Sequence, residues 1–366
     1  MMGTTLITGA DGYVGRRVAA ALLEAGDDHL VLAVRASDPA EFADKRAALQ
    51  RTLPSAAADR ISFTAADLRR GGALDEVDRR AVTRIVHAAA VTRFNVEWDV
   101  ARRVNVEGTT RLAAFAATCP NLQRLALLST LYSAGARSGE VAERQHGDAG
   151  FANHYEWSKW AAEQTVLTAA DLPVSVLRLP TIIADGDDGQ VTQYNAFHNT
   201  MKLYFYGLLS LVPGNPSTPV SLATAAFTTS AITRLLDPSV ADGIYHVCPD
   251  PADTPALGQL ITTAFAVFEQ DRSFRRRQLL TPAYCDQESF DDLVTASSRF
   301  SGGPVQESLA SVSSFGTQLY LPKTFRNEAL RAAWPGYRAP DPIALTRAVC
   351  EHLVTSRWGR QLADVA

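Results

Sequence analysis

The sequence predicts an α/β fold in which a doubly wound parallel sheet carries a smaller C-terminal lobe. Short runs of apolar and β-branched residues alternate with amphipathic segments, the first of which extends from Tyr13 to Ala25. The runs are almost continuously apolar, as expected of strands that are buried on both faces. This alternation is typical of a parallel sheet covered by helices on both sides. The predicted strands cover residues 4–10, 29–35, 60–67, 84–90, 124–130, 174–180 and, later in the chain, 243–249.

Composition and charge exclude several classes of protein. The chain has 366 residues, of which 46% are hydrophobic, so it can bury a large core. The net charge is −4 and arginines alternate with acidic residues, which argues against nucleic acid as a partner. The four cysteines are widely spaced and form no CxxC pair, so we predict neither a disulfide framework nor a metal site.

Two further features concern targeting. The first apolar run begins too early for a secretory signal peptide to precede it, which together with the cysteine pattern predicts a cytoplasmic protein. The longest apolar stretch, residues 203–213, is about half as long as the roughly 20 residues that a membrane-spanning helix needs. We therefore predict no membrane span.

A glycine-rich turn follows the first strand. Glycines stand at positions 9, 12 and 15 of the stretch TGADGYVG, between a predicted strand and a predicted helix. The first permits a tight turn, the second lets a pyrophosphate approach the helix N-terminus, and the third allows close packing of helix and strand. Within a βαβ unit this pattern predicts a Rossmann-type dinucleotide site rather than an ordinary turn. The predicted contacts are Gly9, Asp11, Gly12, Tyr13, Val14 and Gly15.

The end of the second strand bears on the choice of dinucleotide. NAD sites usually place Asp or Glu there to bind the ribose hydroxyls, whereas this chain has Arg35. An arginine suits the 2′-phosphate of NADP(H), so we predict this cofactor, with Arg46 as a weaker helper. The alternative is a solvated surface arginine. Asp67 and Leu68 end the third strand, where an adenine amino group can be bound, although Asp67 is equally suited to cap the next short helix.

Tyr155 and Lys159 stand four residues apart in a predicted helix, so both project from one face. A lysine cation near a phenol stabilises the phenolate and lowers the pKa of the tyrosine. The phenol can then donate a proton to a carbonyl oxygen while a hydride arrives at the carbon. The spacing predicts a catalytic pair in which Lys159 also holds the nicotinamide ribose.

Other polar residues lie at the ends of predicted strands. Thr130 ends the fifth strand, at the sheet edge where such folds bind ligands, and we predict that it hydrogen-bonds the substrate oxygen. Ser129 is the alternative for this role. His87 is interpreted as a strand-end histidine with satisfied ring nitrogens rather than as an acid or base. Asn105 either orients a water or backbone group near the site or bonds locally within its helix.

Together these residues resemble the extended short-chain dehydrogenase/reductases. The motifs that carry the resemblance, in order along the first 180 residues, are TGADGYVG, DL, HAAA, NVEGT, ST, YEWSK and RLP. The resemblance implies Thr130, Tyr155 and Lys159 as a catalytic triad and Asn105 as an active-site helper. The further cofactor contacts that it implies are Ala88, Ala89 and, beside the nicotinamide, Pro180.

Three longer stretches show a narrower likeness, to fatty acyl-CoA reductases and to the thioester-reductase domains of carboxylic acid reductases and peptide synthetases. They are LAVRASDPAEFADKRAAL, HAAAVTRFNVEWDVARRVNVEGTTRLAAFA and NHYEWSKWAAEQ. The likeness implies an NADPH-dependent oxidoreductase that reduces a CoA- or carrier-bound acyl thioester to aldehyde or alcohol, or reduces the derived aldehyde. Alternatives are a carbonyl or ketone reductase, a nucleotide-sugar epimerase or dehydratase, and a non-catalytic NADP-binding regulator.

The domain prediction follows from where the alternation ends. We predict that residues 1–185 form the NADP-binding domain, which the strand at 243–249 rejoins. Residues 186–242 and 250–366 are predicted to form a substrate-binding lobe and lid, because turn-rich segments follow residue 185. The apolar stretch 203–213 in this lobe is either a core helix or the lining of an acyl tunnel. The sequence leaves the oligomeric state open.

Overall fold

The computed structural model describes residues 3–169, 171–298, 312–313 and 315–359. Its strands, numbered β1 to β13 along the chain, cover Thr4–Thr8, His29–Val34, Ile61–Ala65, Val82–His87, Arg124–Thr130, Gly139–Val141, Val174–Leu179, Thr181–Ala184, Leu211–Pro213, Leu222–Thr224, Gly243–His246, Ala283–Cys285 and Lys323–Phe325. Its helices, α1 to α12, cover Tyr13–Ala25, Pro39–Gln50, Trp98–Ala101, Gly108–Ala116, His154–Leu167, Ala196–Tyr206, Ala225–Leu235, Leu257–Phe268, Arg272–Arg277, Gln287–Ser298, Glu328–Ala333 and Pro342–Thr355. A π-helical stretch, Arg102–Glu107, joins α3 to α4, and 3₁₀ turns cover Ser55–Arg60, Leu131–Ala134, Pro251–Asp253 and Thr317–Tyr320.

A parallel sheet of seven strands forms the centre of the described chain, in the order β11-β7-β5-β4-β1-β2-β3. Each of the seven predicted strands lies in this sheet, so the α/β prediction is confirmed. Helix α1 packs on it through Val18, Ala19, Leu22 and Leu23, which recur at helical spacing and are buried. The strand order reverses between β1 and β4, and ligands bind at the carboxyl ends of strands beside such a reversal.

Helix α7 differs from the domain prediction. It lies within residues 186–242, the segment assigned to the smaller lobe, yet Phe227, Ile232 and Leu235 are buried in the same core as α1. The physical reason is the crossover between the parallel strands β7 and β11, which needs a helix that returns along one face of the sheet. Helix α7 is that helix, with the side chain of Thr224 accepting a hydrogen bond at its N-terminus.

The smaller lobe has its own core, and the apolar stretch 203–213 belongs to it. Leu203, Tyr204 and Phe205 are buried there, and the Phe205 ring lies 5.3 Å from Phe268 and 5.4 Å from Trp358, centroid to centroid. None of these residues lines the large cavity described below. The packing therefore favours the core-helix interpretation over the tunnel interpretation, because helical spacing turns these rings toward α8 and α9. Within the described residues, no helix is both long and apolar enough to cross a membrane.

Candidate active site

The glycine-rich turn has the geometry that its sequence predicts. Gly9 has φ of +65°, and a Cβ at this position would lie 2.7 Å from the backbone of Ala89. A Cβ on Gly15 would collide with the carbonyl of Gly9. Helix α1 begins at Tyr13 with no side chain capping it, so its first N–H groups are left for a ligand. An uncapped helix start beside close-packed glycines fits a pyrophosphate.

The turn opens on a cavity of about 430 Å³ at the carboxyl ends of β1, β4, β5 and β7. Ten of the predicted site residues line this cavity: Gly9, Gly12, Tyr13, Val14, Gly15, Ala88, Thr130, Tyr155, Lys159 and Pro180. Seven others do not reach it: Asp11, Arg35, Arg46, Asp67, Leu68, Ala89 and Asn105. Within the described ranges, no group of three or more His, Cys, Asp or Glu side chains could hold a metal ion.

Thr130, Tyr155 and Lys159 meet on one wall of the cavity. Helix α5 starts next to Asn153, whose side chain accepts the N–H of Glu156, and the spacing of four residues then aligns Tyr155 with Lys159. Thr130 and Tyr155 line this wall together, and the Thr130 hydroxyl is near enough to lower the pKa of Tyr155. Lys159 Nζ donates to the carbonyl of Leu128 at 2.6 Å. The structure brings this group together as the sequence predicts.

The electrostatics of this group differ from the expectation. Burial raises the pKa of Tyr155 to about 12 and outweighs the hydrogen bond from Thr130, which lowers it. Burial also lowers the pKa of Lys159 to about 8, opposed by the nearby charge of Glu163. In this structure the pKa of Tyr155 is thus raised rather than lowered, because desolvation is the largest effect on it.

The alternatives at the strand ends are resolved by hydrogen bonds. The Ser129 hydroxyl donates to the buried carboxylate of Glu163, beneath the cavity floor. Thr130 is the hydroxyl that contacts Tyr155, so the geometry favours it over Ser129. Both ring nitrogens of His87 are paired, with Thr8 at 2.7 Å and Thr109 at 2.9 Å. Burial lowers the pKa of His87 to about 3, as suits a neutral structural histidine.

Asn105 acts on the backbone rather than on the cavity. It lies in the π-helical stretch and is buried. Its side chain accepts the N–H of Val91 at 2.8 Å and donates to the carbonyl of Val91 at 2.9 Å and to Ser158 Oγ at 2.8 Å. Of the two alternatives given above, Asn105 thus orients a backbone group, and it ties the segment after β4 to helix α5, which carries Tyr155 and Lys159.

The region predicted to bind the adenosine end lies outside the cavity and is exposed. Arg35 directly follows β2, and its carbonyl accepts a hydrogen bond from Lys45 Nζ at 2.6 Å. Lys45 also pairs with Asp11 at 3.5 Å. The Arg46 guanidinium lies over the ring of Phe63, 5.4 Å from its centroid.

Asp67 and Leu68 follow β3. The pKa of Asp67 is lowered, chiefly by its hydrogen bonds with Arg69 and further by the charge of Arg35, so Arg35 and Asp67 face a common region. Leu68 is buried in a core cluster and its carbonyl accepts a hydrogen bond from Arg111 at 3.1 Å.

Sequence reasoning missed several residues at the site. Phe94, Tyr132, Thr181 and Phe315 line the cavity, and the Phe94 ring lies 5.5 Å from Tyr155 and 5.9 Å from Phe315, centroid to centroid. One signal for two of them was available. Tyr132 and Thr181 each follow the end of a predicted strand by a few residues, where neighbouring parallel strands bring such positions together.

Asp185 is a second omission. Its carboxylate accepts hydrogen bonds from the Tyr13 hydroxyl, the Arg17 guanidinium and Thr192 Oγ1. Burial, helped by the bond to Asp185, raises the pKa of Tyr13. Asp185 therefore attaches the segment before α6, which carries the cavity residues Gln193 and Asn195, to the start of α1.

The seven-stranded sheet, the glycine turn and the arrangement of Thr130, Tyr155 and Lys159 define an extended short-chain dehydrogenase/reductase, a class that uses a nicotinamide dinucleotide. Residues 7–232 match the family described as "Male sterility protein". The chain belongs to this family.

Two curated relatives share part of the chain. An isonitrile lipopeptide synthase of Streptomyces coeruleorubidus is 35% identical over 213 residues, which are 54% of this chain and 14% of that protein. Glycine betaine reductase ATRR of Emericella nidulans is 24% identical over 283 residues, 71% of this chain and 22% of that protein. The chain thus spans less than a quarter of the length of either relative.

Solved structures share the fold over nearly the whole chain. The terminal R domain from the myxalamid PKS-NRPS biosynthetic pathway superposes with a TM-score of 0.77 at 19% identity, covering 98% of this chain and 92% of that one. A thiolation-reductase di-domain from an archaeal non-ribosomal peptide synthetase gives 0.74 at 16% identity, covering 98% and 76%. UDP-glucuronic acid 4-epimerase from Bacillus cereus gives 0.66 at 14% identity, covering 97% and 99%.

Proposed function

We propose that the protein is an NADPH-dependent reductase of acyl thioesters, presented on CoA or on a carrier protein, that forms the aldehyde or the alcohol. The observation that carries the proposal is a single cavity in which the glycine turn, the Thr130–Tyr155–Lys159 group and an apolar wall meet. The similarity to a lipopeptide synthase and to a protein named as a reductase supports it.

The residues present fit a dinucleotide. The glycine turn and the start of α1 would hold its pyrophosphate, Lys159 its nicotinamide ribose, and Pro180 would lie beside the nicotinamide ring. When bound, the reduced nicotinamide supplies a hydride. Tyr155 donates a proton to the carbonyl oxygen and Thr130 hydrogen-bonds that oxygen, which are the two tasks that their shared position allows.

One part of the cavity wall is apolar. It contains Phe94, Ile182, Phe197 and Phe315, while Thr92, Gln193 and Asn195 are polar residues elsewhere in the lining. Lys159 is the one cation among the described residues that line the cavity. A nucleotide sugar would bring a diphosphate that needs cationic partners, so this lining favours an acyl group over a nucleotide-sugar substrate.

When the protein is incubated with NADPH and an acyl thioester, NADPH should therefore be oxidised and an aldehyde or alcohol should form. Nucleotide sugars should not react. Each methylene buried on the apolar wall adds about 0.8 kcal/mol, so kcat/KM should rise about fourfold per methylene until the wall is filled. The measurement is NADPH absorbance together with product analysis for a series of acyl-CoA and acyl-carrier thioesters and the matching aldehydes. Epimerised nucleotide sugars, or intact NADPH with every thioester, would contradict the proposal.

The cofactor preference gives a separate prediction at Arg35. The acidic residues that follow β2 are already engaged: Asp38 caps α2, and Glu41 accepts hydrogen bonds from Ser37 and pairs with Lys45. Both carboxylates are thus held by contacts within this segment. Replacing Arg35 with alanine removes charge-assisted hydrogen bonds of about 1.5–3 kcal/mol, so NADPH should bind about ten- to a hundredfold more weakly while NADH binding is little changed.

The measurement is the dissociation constant of each cofactor by fluorescence titration. The matched control is Arg51→Ala, a change at an exposed arginine at the C-terminal end of α2, which should leave both dissociation constants unchanged. Equal affinity of the wild-type protein for NADPH and NADH would contradict the prediction that Arg35 selects NADPH.

A further inference from the structure

Two hydroxyl groups with no assigned role face each other on the cavity wall. The Tyr132 hydroxyl lies 2.9 Å from Thr181 Oγ1, and both residues line the cavity. Their proximity follows from the sheet register. Thr130 on β5 is the partner of Leu179 on β7, and Tyr132 and Thr181 each lie two residues beyond this pair. Because β5 and β7 are neighbouring parallel strands that end at the same edge of the sheet, the residues that follow them bring the two hydroxyls together.

One of the two O–H groups of the pair is available to donate a hydrogen bond to a ligand. One hydroxyl donates to the other, and the second O–H has no protein acceptor among the residues that the structure describes. Burial raises the pKa of Tyr132, so the phenol keeps its proton at neutral pH. A partly buried donor at the edge of a cavity is available to a ligand that has a lone pair or a negative charge.

The pair lies close to the predicted catalytic group. Thr130 Oγ1 accepts the N–H of Tyr132 at 3.3 Å, at the start of the 3₁₀ turn Leu131–Ala134. The Phe94 ring lies between the two tyrosines, with its centroid 5.7 Å from that of Tyr132 and 5.5 Å from that of Tyr155. Tyr155 can thus donate to one atom of a substrate while Tyr132 donates to another.

A second, smaller chamber lies behind the pair. Tyr132 and Thr181 also border a chamber of about 30 Å³ that contains the side chains of Gln318 and Lys323. Lys323 Nζ donates to Gln318 Oε1 at 2.6 Å, and Gln318 donates to the Glu156 carboxylate at 2.8 Å. The chamber is large enough for one water, and most of the side chains that line it are apolar, with Gln318 and Lys323 among its few polar groups.

We propose that Tyr132 and Thr181 form a hydrogen-bonding site for the leaving sulfur of the thioester, an inference that rests on the proposed function. The carbonyl carbon gains the hydride and its oxygen gains the proton of Tyr155, which gives a thiohemiacetal. The carbon–sulfur bond then breaks with its electron pair on sulfur, the carbonyl re-forms, and the proton returns from oxygen to Tyr155. The spare O–H of the pair donates to the sulfur as negative charge develops there. The pair therefore accelerates release of the thiolate and leaves hydride addition unaffected.

The test compares thioester and aldehyde reduction in Tyr132→Phe, Thr181→Val and the double variant. An aldehyde has no leaving group, so its reduction should stay within about twofold of wild type, whereas thiol release from the thioester should slow about tenfold or more, the effect of one hydrogen bond to a charged group. Single-turnover experiments follow NADPH oxidation and thiol release separately, and release should lag behind oxidation only in the variants. An alkyl thioester should show a larger loss than an aryl thioester, because the more basic thiolate needs the hydrogen bond more.

Equilibrium binding supplies a readout independent of turnover. The wild-type protein should bind 4-nitrothiophenolate, followed by its absorbance, more tightly than the double variant does. Thr181→Ser, which keeps the hydroxyl, should restore release, and Tyr206→Phe, at an exposed tyrosine of the smaller lobe, should change nothing. Equal losses for thioester and aldehyde, or unchanged release and thiolate binding in the double variant, would overturn the inference. A wild-type protein that reduces no thioester would instead overturn the proposed function.

Discussion

Replacing Tyr155 with phenylalanine should lower the turnover of thioester and aldehyde alike by about 10²–10⁴-fold, the contribution of a positioned general acid. The fold should survive, because the phenylalanine ring keeps its edge-to-face contact with Phe94 and only the hydrogen bond to Thr130 is lost. That bond is worth about 1 kcal/mol, which is small beside the stability of a domain. The measurements are kcat at saturating NADPH, the dissociation constant of NADPH, and the melting temperature.

The pH profile tests the same group. Because burial lowers the pKa of Lys159 to about 8, its ammonium is lost as the pH rises through that value, and kcat/KM should fall with it. Tyr155, with a pKa raised to about 12, stays protonated throughout this range.

The matched control for Tyr155→Phe is Tyr284→Phe, a change at an exposed tyrosine of the smaller lobe, which should behave as wild type. Near-normal turnover in Tyr155→Phe would contradict the catalytic assignment.

The parts of the fold that depend on local pattern could be predicted from the sequence. Runs such as Arg124–Thr130, buried at every position, are apolar enough to be found as strands without knowledge of their neighbours. The glycines at 9, 12 and 15 and the spacing of Tyr155 and Lys159 are also local, since they depend on one turn and one helix. These features predict a site at the edge of the sheet where the cavity lies.

The remaining features depend on contacts between distant parts of the chain. Phe315 reaches the cavity from the C-terminal lobe, and Tyr132 meets Thr181 only because β5 and β7 are neighbours. The pKa of Tyr155 depends on how deeply the folded chain buries it, which the spacing to Lys159 does not reveal. Helix α7 was placed in the wrong lobe because its apolar face suits either core.

A buried ion pair next to the predicted catalytic group should have a large effect on stability. Arg178 on β7 and Glu163 on α5 are fully buried and pair at 2.7 Å, and Arg178 also contacts His246 at 3.2 Å. Ser129, next to Thr130, donates to the same carboxylate. Removing one partner leaves an uncompensated charge in the core, whereas removing both partners leaves only neutral groups to repack. The pair also lies near Lys159, whose positive charge Glu163 favours.

Arg178→Met should therefore lower the free energy of unfolding by about 3–5 kcal/mol, measured by denaturant titration. The double variant Arg178→Met/Glu163→Leu should recover at least half of that loss, since no unpaired carboxylate remains in the core and the new side chains fill a similar volume. The exposed pair Asp75–Arg79 is the matched control, and Arg79→Met should cost less than about 1 kcal/mol. In the double variant, Lys159 has also lost the carboxylate that favours its protonated form, so the fall of kcat/KM should begin at lower pH than in wild type. Two outcomes would contradict this prediction: a single variant as stable as wild type, or a double variant no more stable than the single one. Either would show that the unpaired carboxylate of Glu163 does not lower the free energy of unfolding.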